Sequence, residues 1–224
     1  MHPDASRLFA LDEGLRAEAD QVLAESGIGA ILNEYGYQPV GSYAMRTTTW
    51  RDLDFELPED PPQRDIKWDF GSRLAGTGWC VRVQFEDFYR QELPEPLRFR
   101  PAPESPAVLD SLLRECGLYW GARVLDPARR EPAAVGSPQI WKLDMWSAPS
   151  SVFAAGAERR EQWARLLTDE ARSYVLAIKE AVCHEPDYRK TMLSVHIYDA
   201  VLHCGIRDVA AFRQWWEANA RNAL

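Results

Sequence analysis

Asp52, Asp54 and Glu56 alternate with Leu53, Phe55 and Leu57 in a short run that ends at Pro58. If Leu53 to Leu57 is a strand, its period of two puts the three carboxylates on one face and the three apolar side chains on the other. One face is then a core and the other a shelf of negative charge. Two aspartates pointing the same way on a rigid strand repel each other, and a divalent cation with oxygen ligands is the usual neutraliser. Eleven residues before Asp52 stand Gly41 and Ser42. A glycine at a strand end lets a phosphate come close to backbone amides, and a helix starting there adds the positive end of its dipole. A second run divides in the same way: from Gln139 to Trp146, Trp141, Leu143 and Met145 share one face, and Lys142 and Asp144 the other. A lysine and an aspartate in so apolar a segment are costly to bury without partners. An edge strand with a polar outer face is the plainer reading of the same alternation.

The elements that hold these residues follow from apolar spacing. Leu8, Leu11, Leu15, Ala19 and Val22 recur every three or four residues, which predicts an amphipathic helix over Ala5 to Glu25. A second short helix runs through Ile28, Ile31, Leu32 and Tyr35, with Gly36 as its cap. Tyr37 to Val40 reads as a brief strand into Gly41. A short helix is expected from about Tyr43 to Thr48, with Ser42 at its start, where the hydroxyl either caps the helix or meets a phosphate. Past the polar loop Pro58 to Pro62, a helix through Ile66, Phe70 and Leu74 ends near Gly76 or Gly78, and Trp79 to Glu86 is a half-buried strand. Prolines crowd Glu92 to Pro106, which reads as an extended connection. Leu109, Leu112 and Leu113 suggest a helix, and Leu118 to Val124 a strand. Leu125 to Ser137, with Arg129, Arg130 and Gly136, reads as a long connection such as flanks many sites. Pro149 to Gly156 reads as a small-residue link. Helices are expected beyond it over Glu158 to Val182 with a break near Thr168, over Asp187 to Cys204, and over Asp208 to Asn222.

Composition narrows the function classes. A formal charge of −8 over 224 residues argues against a broad nucleic-acid surface. There is no long apolar run and no signal-like start, so the expectation is a soluble, cytoplasmic protein with no membrane segment. Cys80, Cys116, Cys183 and Cys204 are scattered and suggest neither a zinc site nor a disulfide framework. His196 and His203 are two helical turns apart, too far to share one small ion.

Gly41-Ser42 after a first strand, then Asp52-Leu53-Asp54, resembles the nucleotidyltransferase superfamily that includes DNA polymerase beta and the small antibiotic-adenylylating enzymes. The resemblance spans about Gly36 to Ser147, and it departs from the family where many members carry a second glycine, at Arg46 or Thr47. It implies a nucleotidyltransferase-like α+β fold, a mixed sheet flanked by helices; together with the helical spacing outside that span, the chain is expected to divide into a domain over residues 1–148 and a C-terminal helical region over 149–224. It implies a third carboxylate on a later strand, and Asp144 is the candidate. Asp52, Asp54 and Asp144 would hold magnesium as catalytic ligands, while Gly41 and Ser42 would hold the triphosphate. Arg46, Arg51 and Lys142 are candidate phosphate contacts. The implied reaction moves a nucleoside monophosphate, from ATP or another nucleoside triphosphate, to a hydroxyl of a small acceptor and releases pyrophosphate. Tyr188, Asp187 and Asp199, in the helical region, are candidates for the acceptor wall. A transferase that modifies a protein or a transfer RNA, and an idle nucleotide-binding module, are the alternative readings. Oligomeric state is not legible.

Overall fold

A computed structural model describes residues 1–60, 67–88, 117–125, 139–188 and 191–220. Helix α1 (Ala5–Glu25) buries Leu8, Leu15, Ala19 and Val22 along one side, as their spacing predicts. Gly27, at φ 72°, turns the chain into α2 (Ile28–Glu34). There follow β1 (Gln38–Val40), α3 (Gly41–Ala44), β2 (Asp52–Pro58), α4 (Lys67–Gly76), β3 (Cys80–Asp87), β4 (Leu118–Leu125) and β5 (Ile140–Ala148). Among the described residues, four helices follow: α5 (Ser150–Leu166), α6 (Asp169–Val182), α7 (Ser194–Leu202) and α8 (Val209–Ala220). The protein is α+β, a five-stranded mixed sheet with helices and a C-terminal helical region.

The strand order is β1-β2-β5-β4-β3. β2 and β5 run parallel, and every other neighbouring pair is antiparallel. Leu53, Phe55, Trp120, Ala122, Val124, Trp141, Leu143 and Met145 form one apolar face, packed against Leu15, Ala19 and Val22 of α1, Ile28 and Leu32 of α2, and Phe70 and Leu74 of α4. Burying a large apolar side chain is worth about 1.5–3 kcal/mol. A one-residue slip of β2 would expose Leu53, Phe55 and Leu57 and drive Asp52, Asp54 and Glu56 into that core, so the facing of the strand is strongly specified. A second core joins Trp163 of α5, Val175 and Ile178 of α6, Ile197 and Val201 of α7, and Phe212 of α8. Met45 and Trp50, on the connection from α3 to β2, pack against this second core. That connection therefore runs between the two.

Three expected boundaries change. The helix expected over Tyr43 to Thr48 is instead α3, Gly41–Ala44, because Arg46 adopts a left-handed φ of 57° and the Thr47 amide closes a turn on the Ser42 carbonyl at 2.9 Å. Pro149 to Gly156 is not a link: α5 begins at Ser150, and Val152 and Phe153 bury against Ala148 at the end of β5. The helix expected over Asp187 to Cys204 reduces to α7, since the amides of Thr191 and Met192 both turn back to the Asp187 carbonyl at 3.1 Å. Thr168 caps α6 as its sequence suggests, its hydroxyl accepting from the Ala171 amide at 3.2 Å. Ile66, the connection Glu92 to Pro106, the helix through Leu109, Leu112 and Leu113, Cys116, and the connection carrying Arg129, Arg130 and Gly136 lie outside the described residues. Cys80 is partly buried, Cys183 buried and Cys204 exposed. Among the described residues, no helix is long and apolar enough to cross a membrane.

Candidate active site

The sheet face opposite the first core carries the polar residues in rows. In the parallel register of β2 and β5, Asp52 pairs with Lys142, Asp54 with Asp144, and Glu56 with Trp146. On β4 the same rows continue with Arg123, Gly121 and Tyr119. Asp144 lies ninety residues beyond Asp54 in the chain, yet it stands beside Asp54 on a neighbouring strand, about 4.8 Å away at the backbone. Asp52, Asp54 and Asp144 thus share one face, as the alternation in both strands predicts.

Gly41 is where the turn and the carboxylates meet. Its φ is 64°, and a Cβ built on it would lie 2.4 Å from Asp54 Oδ2. Glycine is required twice over, by the backbone and by the carboxylate seated against it. Ser42, next in the chain, is buried. A similar close approach occurs on β4, where a Cβ on Gly121 would meet the Tyr119 hydroxyl at 2.6 Å. Tyr119 lies over that glycine and donates to Asp144 Oδ1 at 2.8 Å.

The charges on this face are partly compensated. The Lys142 ammonium stands 3.2 Å from Asp52 Oδ1 and also bonds Asp144 Oδ2, bridging the two strands. Burial alone would lower the lysine, but Asp52 and Asp144 outweigh it and hold it above its ordinary range. Asp54 is treated the other way. Its burial, and then the charges of Asp52 and Asp144, push its carboxyl up to about 8 against the opposing pull of Lys142 and Lys179. Glu56 belongs to a separate pair, accepting both arms of Arg160 from α5 at 2.8 and 2.6 Å. Burial raises Glu56, and the guanidinium opposes the shift.

Of the arginines singled out in the sequence as phosphate contacts, Arg51 stands elsewhere. Arg51 has the parity of Leu53, so it points to the α1 side of the sheet, where it binds Glu18 Oε2 at 2.8 Å and also Gln139. The Trp141 indole donates to the same Glu18 at 2.8 Å. Arg51 is thus not gathered with the carboxylates. Arg46 keeps an exposed side chain beside the turn, while its carbonyl accepts from Arg172 Nε at 2.6 Å. Of the candidates for an acceptor wall, Tyr188 is buried against Trp50 with its hydroxyl on Ser194, and Asp199 accepts from the Trp163 indole at 3.1 Å. Asp187 is exposed. His196 accepts from the Leu193 amide and lies against Trp216.

Four residues near the site escaped sequence reasoning. Asp12, Arg172 and Lys179 are all buried, and each bonds the turn after α3: the Thr48 amide donates to Asp12 Oδ1 at 2.7 Å, and Lys179 Nζ donates to the Thr47 carbonyl at 2.8 Å. The Tyr198 hydroxyl bonds that of Thr47. The signal was present, because Asp12 falls among Leu8, Leu15, Ala19 and Val22, and Arg172 and Lys179 among Val175, Leu176 and Val182, on otherwise apolar helical stripes. A charge in such a stripe is either a helix surface misread or a built-in polar contact.

As the side chains stand, no group of three His, Cys, Asp or Glu residues among those described is gathered around a point a metal ion could fill. The Lys142 ammonium stands between Asp52 and Asp144, paired with both. The donor set itself suits a hard divalent cation, with carboxylate oxygens on one rigid face and one of them, on Asp54, short of positive charge. No protein-family model matches the chain, and no curated protein matches it at a significant level.

Proposed function

We propose that the protein is a magnesium-dependent nucleotidyltransferase that moves a nucleoside monophosphate from a nucleoside triphosphate to a hydroxyl of a small acceptor. The observation that carries this reading is the seating of Asp54 against Gly41, with Asp144 beside it in register and Asp52 on the same face. That arrangement brings a turn suited to phosphate and three carboxylates suited to a cation into one place, as the nucleotidyltransferase-like fold of the proposal requires. When bound to Asp52, Asp54 and Asp144, magnesium supplies charge neutralisation at the attacking and leaving oxygens.

The chain's own residues divide the remaining work. Ser42 and the amides after Gly41 take the phosphates. Lys142, released from Asp52 and Asp144, stays on its strand as a cation for the anionic triphosphate. Tyr119 orients Asp144 through its hydroxyl and keeps that carboxylate from turning away from Asp54. Arg160 engages both oxygens of Glu56 and holds it out of the reaction, leaving Asp52, Asp54 and Asp144 as the proposed ligands.

One observation favours a second reading, a nucleotide-binding module without turnover. With Lys142 between Asp52 and Asp144, the face is already partly neutral, and a lysine there serves a static site as well as a cation would. The test is thermal protection by a panel of nucleoside triphosphates, each with and without magnesium. The transferase reading expects protection that depends on both partners and is lost in Asp54→Asn. Protection by nucleotide alone, unchanged by magnesium, would favour the static module.

A further inference from the structure

We propose that Arg123 and Arg82, side by side on β4 and β3, form an anion site that holds the phosphate of the acceptor, a small molecule with a free hydroxyl and a phosphate monoester. Calling the ligand an acceptor rests on the transferase reading, while the anion site itself does not.

The register of the sheet lines up three cations. Lys142 of β5 pairs with Arg123 of β4, and Arg123 with Arg82 of β3, whose irregularity lies between Cys80 and Arg82. The next residue on each strand, Leu143, Ala122 and Val83, also pairs in register and packs in the first core, so the three cations face the carboxylate side. Like charges directly opposite each other on neighbouring strands destabilise a sheet. Lys142 is relieved by Asp52 and Asp144. The two arginines are not relieved in this way: Arg123 donates to the Ala122 carbonyl at 3.2 Å and Arg82 to Gln84 Oε1 at 2.7 Å, both neutral groups. Acidic residues outnumber basic ones in this chain, 34 to 26, yet among the described residues no carboxylate stands within ion-pair distance of either guanidinium. Arg82 is exposed and Arg123 half-buried, so an anion from solvent can reach both.

Strand order decides which substrate carries that anion. The helix that holds Gly41 and Ser42 packs on β1 and β2, whereas β4 and β3 lie on the far side of β5. Asp52, Asp54 and Asp144 stand between the two. In the proposed transfer the acceptor's hydroxyl oxygen bonds the phosphorus as the bond to pyrophosphate breaks, its proton passes to water, and the entering and leaving oxygens lie in line. A triphosphate seated at the turn therefore leaves the arginine side to the acceptor. Asp144 is opposite Gly121, and Arg123 is two residues farther along β4, a diagonal of about 7–8 Å between backbones. A sugar phosphate spans that gap, its hydroxyl at Asp144 and its phosphate at the arginines. Two guanidinium forks match the two charges and the planar oxygen pairs of a phosphate monoester. Since β3 is the edge strand, the row stops at Arg82, wide enough for one phosphate and too short to track an RNA backbone.

Calorimetric titration of the full chain in excess chelator, without nucleotide, tests the site directly. The probes are inorganic phosphate, glycerol 3-phosphate, ribose 5-phosphate and glucose 6-phosphate, beside glycerol, ribose, glucose and glucuronate. The proteins are the wild type, Arg123→Gln, Arg82→Gln and, as a charge-matched control on the exposed side of α5, Arg165→Gln. The expected result is that the phosphate compounds bind about tenfold or more tighter than their parents, and that each of the first two variants loses about tenfold while the control loses nothing. Phosphates that bind no better than their parents, or that weaken equally in Arg165→Gln, would overturn the site. Glucuronate binding as tightly as glucose 6-phosphate would overturn the choice of phosphate. Thermal protection by ATP with magnesium should survive in Arg123→Gln, and its loss there would give the arginines to the nucleotide and overturn the acceptor assignment. A short RNA that binds tighter than every sugar phosphate through the same arginines would overturn it in favour of a polymer. Arginine-dependent phosphate binding by a protein that transfers nothing would sink the transferase reading and leave the anion site standing.

Discussion

Replacing Gly41 with alanine should damage the site more than the fold. At φ 64° an alanine pays the left-handed penalty of about 1–2 kcal/mol. For a chain of this size that is roughly a 2–8 °C fall in melting temperature. The added Cβ would also stand 2.4 Å from Asp54 Oδ2, where ordinary contact begins at 3.4 Å, so the carboxylate must retreat by about 1 Å. A misplacement of that size costs about a hundredfold in rate when the displaced group takes part in positioning. Gly27→Ala separates the two effects, because Gly27 has φ 72° and nothing within 4 Å of its would-be Cβ. Both variants should melt lower by similar amounts in chelator, while only Gly41→Ala should lose magnesium-dependent protection by nucleotide and about two orders of magnitude in pyrophosphate release. Equal activity in the two variants would refute the idea that Asp54 must sit where Gly41 allows it.

Asp54→Asn should alter how stability depends on pH. The folded carboxyl, raised from 3.8 to about 8, keeps a proton that the unfolded chain loses, so the stability it contributes is complete below about pH 4 and is lost as pH rises through 8. Melting in chelator should find the asparagine variant more stable than wild type near pH 8 and the gap closing toward pH 4; a constant gap would contradict the shift. Lys142→Met should lower stability in chelator, because Asp52 and Asp144 lose the cation between them, and magnesium should then raise the melting temperature further than it does for wild type. An unchanged magnesium effect would mean that Lys142 and the metal do not compete. Arg51→Ala should leave nucleotide protection intact while costing stability, since it takes the guanidinium from Glu18 and Gln139 on the far side of the sheet and leaves Glu18 only the Trp141 indole. Loss of nucleotide binding without loss of stability would return Arg51 to the site.

The facing of Asp52, Asp54 and Asp144 was legible because the period of two leaves each strand only two sides, and Leu53, Phe55, Trp141, Leu143 and Met145 claim one of them. The same alternation already assigned Arg51 to the core side, a consequence that its charge obscured. Register is a different matter. Asp54 stands opposite Asp144 through a parallel pairing across a long crossover, and no local feature of either strand sets that match. The boundary of α3 was hidden for a similar reason, since the left-handed turn at Arg46 is held by Arg172 from a distant helix rather than by a nearby glycine. Lys179 was hidden because a lysine in an amphipathic helix is ordinarily read as a solvent-facing residue. Only its place in the apolar stripe of α6 hinted otherwise. The helical start at Ser150 depends on Val152 and Phe153 finding Ala148, a tertiary contact.

Incubation of the protein with labelled ATP, magnesium and a mixture of amino sugars, other small alcohols, total transfer RNA and cell protein tests the central claim most directly. Products are separated by size, beside Asp54→Asn and Asp144→Asn controls that melt no lower than wild type. Label in the small-molecule fraction with stoichiometric pyrophosphate, absent from both variants, is the predicted result. Label confined to RNA or protein would contradict the small acceptor, and no label at saturating nucleotide, or undiminished transfer by either variant, would contradict the transferase itself.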